Sequence, residues 1–349
     1  MLSDLKTIFI NSFRIIFTYF LVLVLILCIR TDSYSQNLYF QSYTTSEGLS
    51  QNSIYSIAET PEGFMWFGTQ DGINRFDGKK FKSIKPNIPG ISGESYSFSK
   101  MITALFHDQQ DQLWVGTTKE LLIYNRYRDR FNYPKEIYKG FNIPSHIWFK
   151  KIIEDHQQNI WIITQDDGIY CYNKVKMMMK KMEWSGSVPK KMINIIIDKS
   201  DNIWLATPSE IYRFADDRFI PVKMNLLIGK QNFSIADICF VDSSLWVVID
   251  NSEIFMLNVN DPDKIGLTPF NHVFRGKKML ADIRIIHQSD ENTVWVGSRS
   301  DGVLKIDLNS KKYINSGIKG SSYSLKSQFV LSFYTNKQSI TWVGLSGAG

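Results

Sequence analysis

The chain has 349 residues, 44% of them hydrophobic and 21% charged, so it can build a sizeable core and disorder as its main state is excluded. Its net charge of +6, from 40 Lys and Arg against 34 Asp and Glu, is a mild bias that does not imply a nucleic-acid partner. Three Cys and five His exclude a disulfide-stapled scaffold and leave little material for a zinc site, so no cofactor or metal is expected.

The first segment reads as a leader. Lys6 and Arg14 form a positive region ahead of an apolar run over residues 15–29. That run falls short of the roughly 20 residues a helix needs to cross the hydrocarbon core, and it fits the apolar part of a secretory signal. Small residues at Ser33 and Ser35 place cleavage after Ser35, which makes 1–35 a signal peptide; an uncleaved anchor is the alternative. Leu27 precedes Cys28 where lipidation requires a small residue. Export puts the remainder outside the cytoplasm.

Residues 36–349 are organised by recurrence. Trp66, Trp114, Trp161, Trp204, Trp246, Trp295 and Trp342 are spaced 48, 47, 43, 42, 49 and 47 apart, a period in the range of a four-stranded propeller blade. Before each Trp stands a turn rich in Asp, Asn, Gln or Gly, as in Asp108-Gln-Gln-Asp-Gln-Leu and Asp198-Lys-Ser-Asp-Asn-Ile. An apolar strand precedes that turn (Ile102-Thr-Ala-Leu-Phe106 in the second unit), and further strands follow the Trp (Leu121-Leu-Ile-Tyr124, then one around Phe131).

Two residues beyond most of the Trp residues stands Gly or Ala: Gly68, Gly116, Ala206, Gly297, Gly344. Residues i and i+2 of a strand share a face. A small residue beside an indole leaves room for the adjoining sheet, so the Trp series reads as packing between blades and not as a sugar-stacking ladder. The expected fold is all-β: a seven-bladed β-propeller of four-stranded antiparallel blades following an N-terminal signal helix. Residues 37–45 are expected to supply the outer strand of the seventh blade. The seventh motif is interrupted at Gly349, so that last blade is expected to be incomplete, without the strand between its Trp strand and the closing strand. Cys171 and Cys239 fall on non-neighbouring units, and no disulfide is expected between them.

Propeller ligands bind where turns from several blades converge. The turns after the Trp strands carry Gln70, Asp71, Gln165, Asp166, Asp167, Asn251, Arg299 and Asp301, whose groups suit the donating and accepting hydroxyls of a sugar. An ordinary solvated turn is the simpler reading of any one of them. Trp148 and Trp184 lie outside the motif and are candidates either for stacking on a sugar face or for packing a loop. Lys174, Lys176, Lys180 and Lys181, with Lys190 and Lys191, form the densest basic stretch, a candidate for attracting an anionic glycan; a solvated outer hairpin with its apolar residues, the Met triplet included, turned inward is the simpler reading. No nucleophile elbow, phosphate loop or His pair is present, and no catalytic residue is assigned.

The signature Asp-x-x-Asn/Gly-x-Ile/Leu-Trp-Ile/Val-Gly-Thr, then Gly-Ile/Leu-x-x-Phe/Tyr-Asp/Asn, resembles the two-component regulator propeller repeat. The opening Gly48-Leu-Ser-Gln-Asn-Ser-Ile54 is similar to the start of the periplasmic sensors of hybrid two-component systems in Bacteroidetes-type bacteria. Ile163 and Val248 depart from the small residue, and Glu120 and Leu121 from the usual Gly. The resemblance implies a sensor propeller that contributes to recognising an extracellular oligosaccharide. Its partners would be a second propeller and a transmembrane kinase, or a second sensor copy, and not nucleic acid. No kinase motif is present, so no enzymatic activity is expected. An exported carbohydrate-active propeller and a ligand-free interaction propeller are the alternatives.

Overall fold

Runs of four to eight residues rich in Ile, Val, Phe, Tyr and Trp, separated by Asp, Asn and Gly turns, give short antiparallel strands. The computed structural model describes residues 38–84, 101–222, 232–259, 267–270, 280–316 and 325–349. The expected leader and its cleavage after Ser35 lie outside the described residues. Tyr39–Gly349 form one compact unit.

The first sheet sets the pattern, in spatial and chain order: Ile54–Glu59, the Trp strand Met65–Thr69, Gly72–Phe76 and Phe81–Ile84. Among the described residues six sheets have four or more strands, and one further sheet is the pair Val330–Thr335 with Thr341–Leu345. The architecture is a β-propeller of four-stranded antiparallel blades. The fourth sheet gains a fifth strand, Glu183–Trp184, parallel to Arg218–Val222. There Trp184 stacks on Phe219 with ring centroids 5.0 Å apart, so this indole is blade packing.

Each indole joins its own sheet to the next. Trp66 packs with Leu105 and Tyr124 of the second sheet, Trp114 with Ile152 and Tyr172 of the third, and Trp161 with Ile195 and Phe219 of the fourth. Trp204 and Trp246 continue the series into the fifth and sixth sheets. The small residue two places on meets the adjoining sheet directly. A Cβ at Gly116 would stand 2.8 Å from the Cβ of Phe149, and one at Gly68 would stand 2.7 Å from Ile102.

In the second, third and fourth sheets the turn before the Trp has a second task that the pattern alone hides. Asp108 accepts from the amides of Gln110 and Gln112 at 3.0 and 2.8 Å, which shapes the turn, and from Trp114 Nε1 at 2.8 Å, which satisfies a buried donor. Asp155 and Asp198 hold Trp161 and Trp204 in the same way, at 2.8 and 3.0 Å. Three residues after each of these aspartates, Asp111, Gln158 and Asp201 take left-handed φ values of 61, 62 and 64°.

Three expectations are corrected. Lys174 is no part of a solvated face: it is buried and donates to Asp108 at 2.9 Å and to Glu154 at 2.8 Å. Met177 and Met178 are exposed instead of inward-facing. The stretch 38–44 forms no strand, and Tyr43 packs its ring against Phe76, Phe81 and Trp342 with centroids 5.2–5.9 Å apart. Between that stretch and the strand Thr341–Leu345 lies a cavity of about 530 Å³, where other sheets carry their third strand.

Candidate ligand site at the mouth of the inner strands

The innermost strands begin at the same end of the propeller as the turns after the Trp strands, because each strand pair is antiparallel. At that end the ladder between the two strands slips by one residue in six sheets, leaving Tyr55, Thr103, Lys150, Ala236, Arg284 and Leu331 unmatched. A bulge of this kind re-aims a side chain. The preceding residues Ile54, Ile102, Phe149, Ile235, Ile283 and Val330 are buried, whereas none of the bulged residues is. The bulges therefore set a ring of accessible side chains at the mouth, two of them cationic and none acidic.

One step further along the inner strands, polar side chains bind sheet to sheet. Ser56 Oγ accepts from Leu105 N at 2.8 Å, and the bulged Thr103 itself donates from Oγ1 to the Phe149 carbonyl. Lys151 Nζ donates to Asn194 Oδ1, whose Nδ2 donates to Asp237 Oδ1 at 2.7 Å; Asp237 Oδ2 accepts from Ile286 N at 3.0 Å. Ser332 Oγ donates to the Ile54 carbonyl at 3.0 Å, and toward the far end of these strands His287 Nε2 pairs with Thr335 Oγ1 at 2.9 Å. Burial pushes the Lys151 ammonium pKa down and the Asp237 carboxyl pKa up. These groups are engaged with one another, so this layer is structural.

The residues predicted from the turns all lie at the mouth end, in three separate groups. Gln70 and Asp71 are exposed on the first sheet, where Asp71 N donates to Thr69 Oγ1 at 3.0 Å. Trp148, 41% exposed, and Gln165 are joined on the third sheet by a 2.8 Å bond from Gln165 N to the Trp148 carbonyl. Asp166 is exposed beside them. Asp167 is occupied by Lys181 Nζ at 2.8 Å and by the Tyr170 hydroxyl. Burial alone would raise the Asp167 pKa, but those two hydrogen bonds outweigh it and hold the carboxyl below its ordinary value.

The third group is the one the fold gathers most closely. Asn251 Nδ2 on the fifth sheet donates to Asp282 Oδ1 at 3.2 Å. Asp282 Oδ2 lies 3.9 Å from Arg299 Nε on the sixth, and the Asp282 carbonyl accepts from Arg299 N at 3.0 Å. The guanidinium carbons of Arg299 and of the bulged Arg284 each sit 5.7 Å from the centre of the same Phe329 ring. Asp301 Oδ2 turns away to accept from Ala281 N at 2.6 Å. Loss of water around Arg284, together with the neighbouring Arg299, pushes its pKa down. Burial, reinforced by Lys191 and Arg284, brings Lys150 down to about 8.

Sequence reasoning named Asn251 and Arg299 as candidates and did not name their neighbours Asp282, Arg284, Phe329 and Lys150. They stand at or beside the starts of inner strands, where one residue looks like the next until the bulge is known. Chemically the group offers a carboxylate, an amide, cations and one aromatic face, which suits binding. Among the described residues no three His, Cys, Asp or Glu side chains group in a way that could hold a metal.

Comparison with known proteins agrees with the repeat. Residues 48–71 match the family described as two component regulator propeller. A curated relative, histidine kinase P4 of Formosa agariphila, is 39% identical over 66 residues, which is 19% of this chain and 5% of that protein. The extracellular domain of the putative hybrid two component system BT4673 from B. thetaiotaomicron aligns with a TM-score of 0.67 at 18% identity, over 89% of this chain and 42% of that one. A streptogramin B lyase aligns with a TM-score of 0.64 at 13% identity, over 91% and 98% of the two chains. At these identities the structural likeness is one of fold. The chain spans under half the length of the BT4673 domain that it matches.

Proposed function

We propose that this chain, a carrier of the two component regulator propeller repeat, is an extracytoplasmic sensor propeller of a two-component signalling regulator. It contributes to recognising an extracellular oligosaccharide and passes binding to a kinase in the same signalling system. Its ring is read as seven-bladed, with the pair Val330–Thr335 and Thr341–Leu345 as the seventh blade and the leader directing export to the periplasm. The observation that carries the reading is the Asn251–Asp282–Arg299 cluster beside Arg284 and Phe329. It joins amide, carboxylate and guanidinium groups to an aromatic face at the end where the turns of several blades meet. Sugars take that mixture, since each hydroxyl both donates and accepts.

The test is a thermal-shift and calorimetric screen of the purified chain against an oligosaccharide panel. A ligand that raises the melting temperature in proportion to its affinity supports the reading, and loss of that shift on changing Asn251→Ala places it. A flat response across the panel sinks it. A second reading, an exported propeller enzyme, draws on the fold likeness to a lyase. Turnover of a glycan, lost on changing Asp166, Asp167 or Asp301, would favour it over the sensor.

A further inference from the structure

We propose that Arg284 and Arg299, each held 5.7 Å from the centre of the Phe329 ring and aided by Lys150, form a clamp for an oxyanion: the carboxylate or sulfate group of an acidic sugar. This deepens the sensor reading and rests on it.

The placement is built by the fold. Arg284 and Lys150 occupy the same bulged position in the sixth and third sheets, so the propeller brings both to one mouth from residues 134 positions apart. Arg299 arrives from the turn after the sixth Trp strand, and Asp282 fixes it through its backbone and side chain. Phe329, from the start of the last sheet, carries both guanidinium groups at equal distance. Asp282 offsets one of these cations. Among the described residues no carboxylate lies within ion-pairing distance of Arg284.

Two guanidinium groups on one ring repel each other. A neutral hydroxyl does nothing to relieve that repulsion. An oxyanion does, and a planar carboxylate or a sulfate matches the donor fork of Arg in two parallel bonds. Lys150 adds a point charge from across the mouth, its Nζ anchored on the Met192 carbonyl. The remaining bulged residues, Tyr55, Thr103, Ala236 and Leu331, bring no negative charge to compete.

Calorimetry of the purified chain tests this with three probes at low salt: trigalacturonate for carboxylate, galactose 6-sulfate for sulfate, and maltotriose as the neutral control. The expected result is binding of at least one acidic probe, about tenfold or more tighter than maltotriose, weakening as ionic strength rises. Arg284→Gln and Arg299→Gln should each weaken it by about tenfold, the scale of one charge-assisted hydrogen bond. Arg284→Lys, which keeps the charge and loses the fork, should fall between. The stronger of the two acidic probes identifies the oxyanion. Equal affinity for maltotriose and the acids, unmoved by Arg284→Gln, overturns the clamp while leaving the sensor reading standing. Acid binding that survives both Gln variants overturns its location. No binding of any probe by chain with an intact β-sheet circular dichroism spectrum overturns the clamp, and the broader panel then decides the sensor reading separately.

Discussion

Ser332 Oγ donates to the carbonyl oxygen of Ile54 at 3.0 Å, joining residues 278 positions apart in the chain. The contact ties the last sheet to the first, and Lys337 N to Glu59 Oε2 at 2.9 Å and Gly349 N to Asn52 O at 2.7 Å accompany it. It belongs to the same inner series as Ser56 to Leu105 N and Asn194 to Asp237, in which one polar side chain per interface meets the neighbouring strand.

Ser332→Ala should therefore destabilise the propeller by about 1 kcal/mol, since it leaves the buried Ile54 carbonyl without this donor. Equilibrium denaturation in urea reads the change as a lower midpoint at unchanged slope. A midpoint identical to that of the parent would mean that the closing contact contributes nothing.

The small residue after the indole makes a sharper prediction. Gly116→Ala would force its new Cβ against the Cβ atoms of Phe149 and Ala104, at 2.8 and 3.1 Å. Neither can rotate away, so the sheets must separate, at a cost of about 1–3 kcal/mol. Thermal denaturation checks it, and an Ala variant as stable as the parent would show that the interface yields more easily than this packing implies.

Lys174 reaches both Asp108 and Glu154 with its own side chain only 4% exposed. Lys174→Met strands two buried carboxylates and should cost about 3–5 kcal/mol. Asp108→Asn should also destabilise, because one amide oxygen cannot serve both the Gln110 and Gln112 amides on Oδ1 and Trp114 Nε1 with Lys174 Nζ on Oδ2. A Lys174→Met variant as stable as the parent would show that the ion triad contributes nothing.

His287 gives a pH dependence. It packs half-buried against Phe333 with ring centroids 6.0 Å apart, and loss of water around it, with the Lys151 charge adding, pushes its pKa down to about 4. The unfolded chain takes up this proton near pH 6.5 and the folded chain only near 4, so the unfolded state holds more protons in between. Stability from this residue is full above about pH 6.5 and falls through that window, by up to about 3 kcal/mol at its acid end. In His287→Phe the fall between pH 6.5 and 4 should flatten. An unchanged pH profile of the denaturation midpoint would assign the acid loss to other groups.

The repeat was legible from seven indoles, their period and the small residue that follows, because strand periodicity and side-chain volume are local properties. The role of Asp108 as acceptor for Trp114 was readable only in part: its turn-forming use was plain, while the reach to the indole six positions on needed the hairpin geometry. Lys174 misled, since a run of Lys and Met carries no mark of which ammonium meets two carboxylates from other strands. At the mouth, Asn251 and Arg299 were named as candidates from turn chemistry. Arg284 and Lys150 were hidden, because a bulge is defined by pairing between strands.

The sequence alone determined the all-β propeller, the length of each blade and the indole that packs one sheet on the next, for these follow from patterns within about 50 residues. Only the tertiary structure decided which side chains share the mouth and how the last sheet meets the first. Those neighbours come from distant parts of the chain, and their meeting depends on where each ladder slips and on how the sheets are arranged about a common axis.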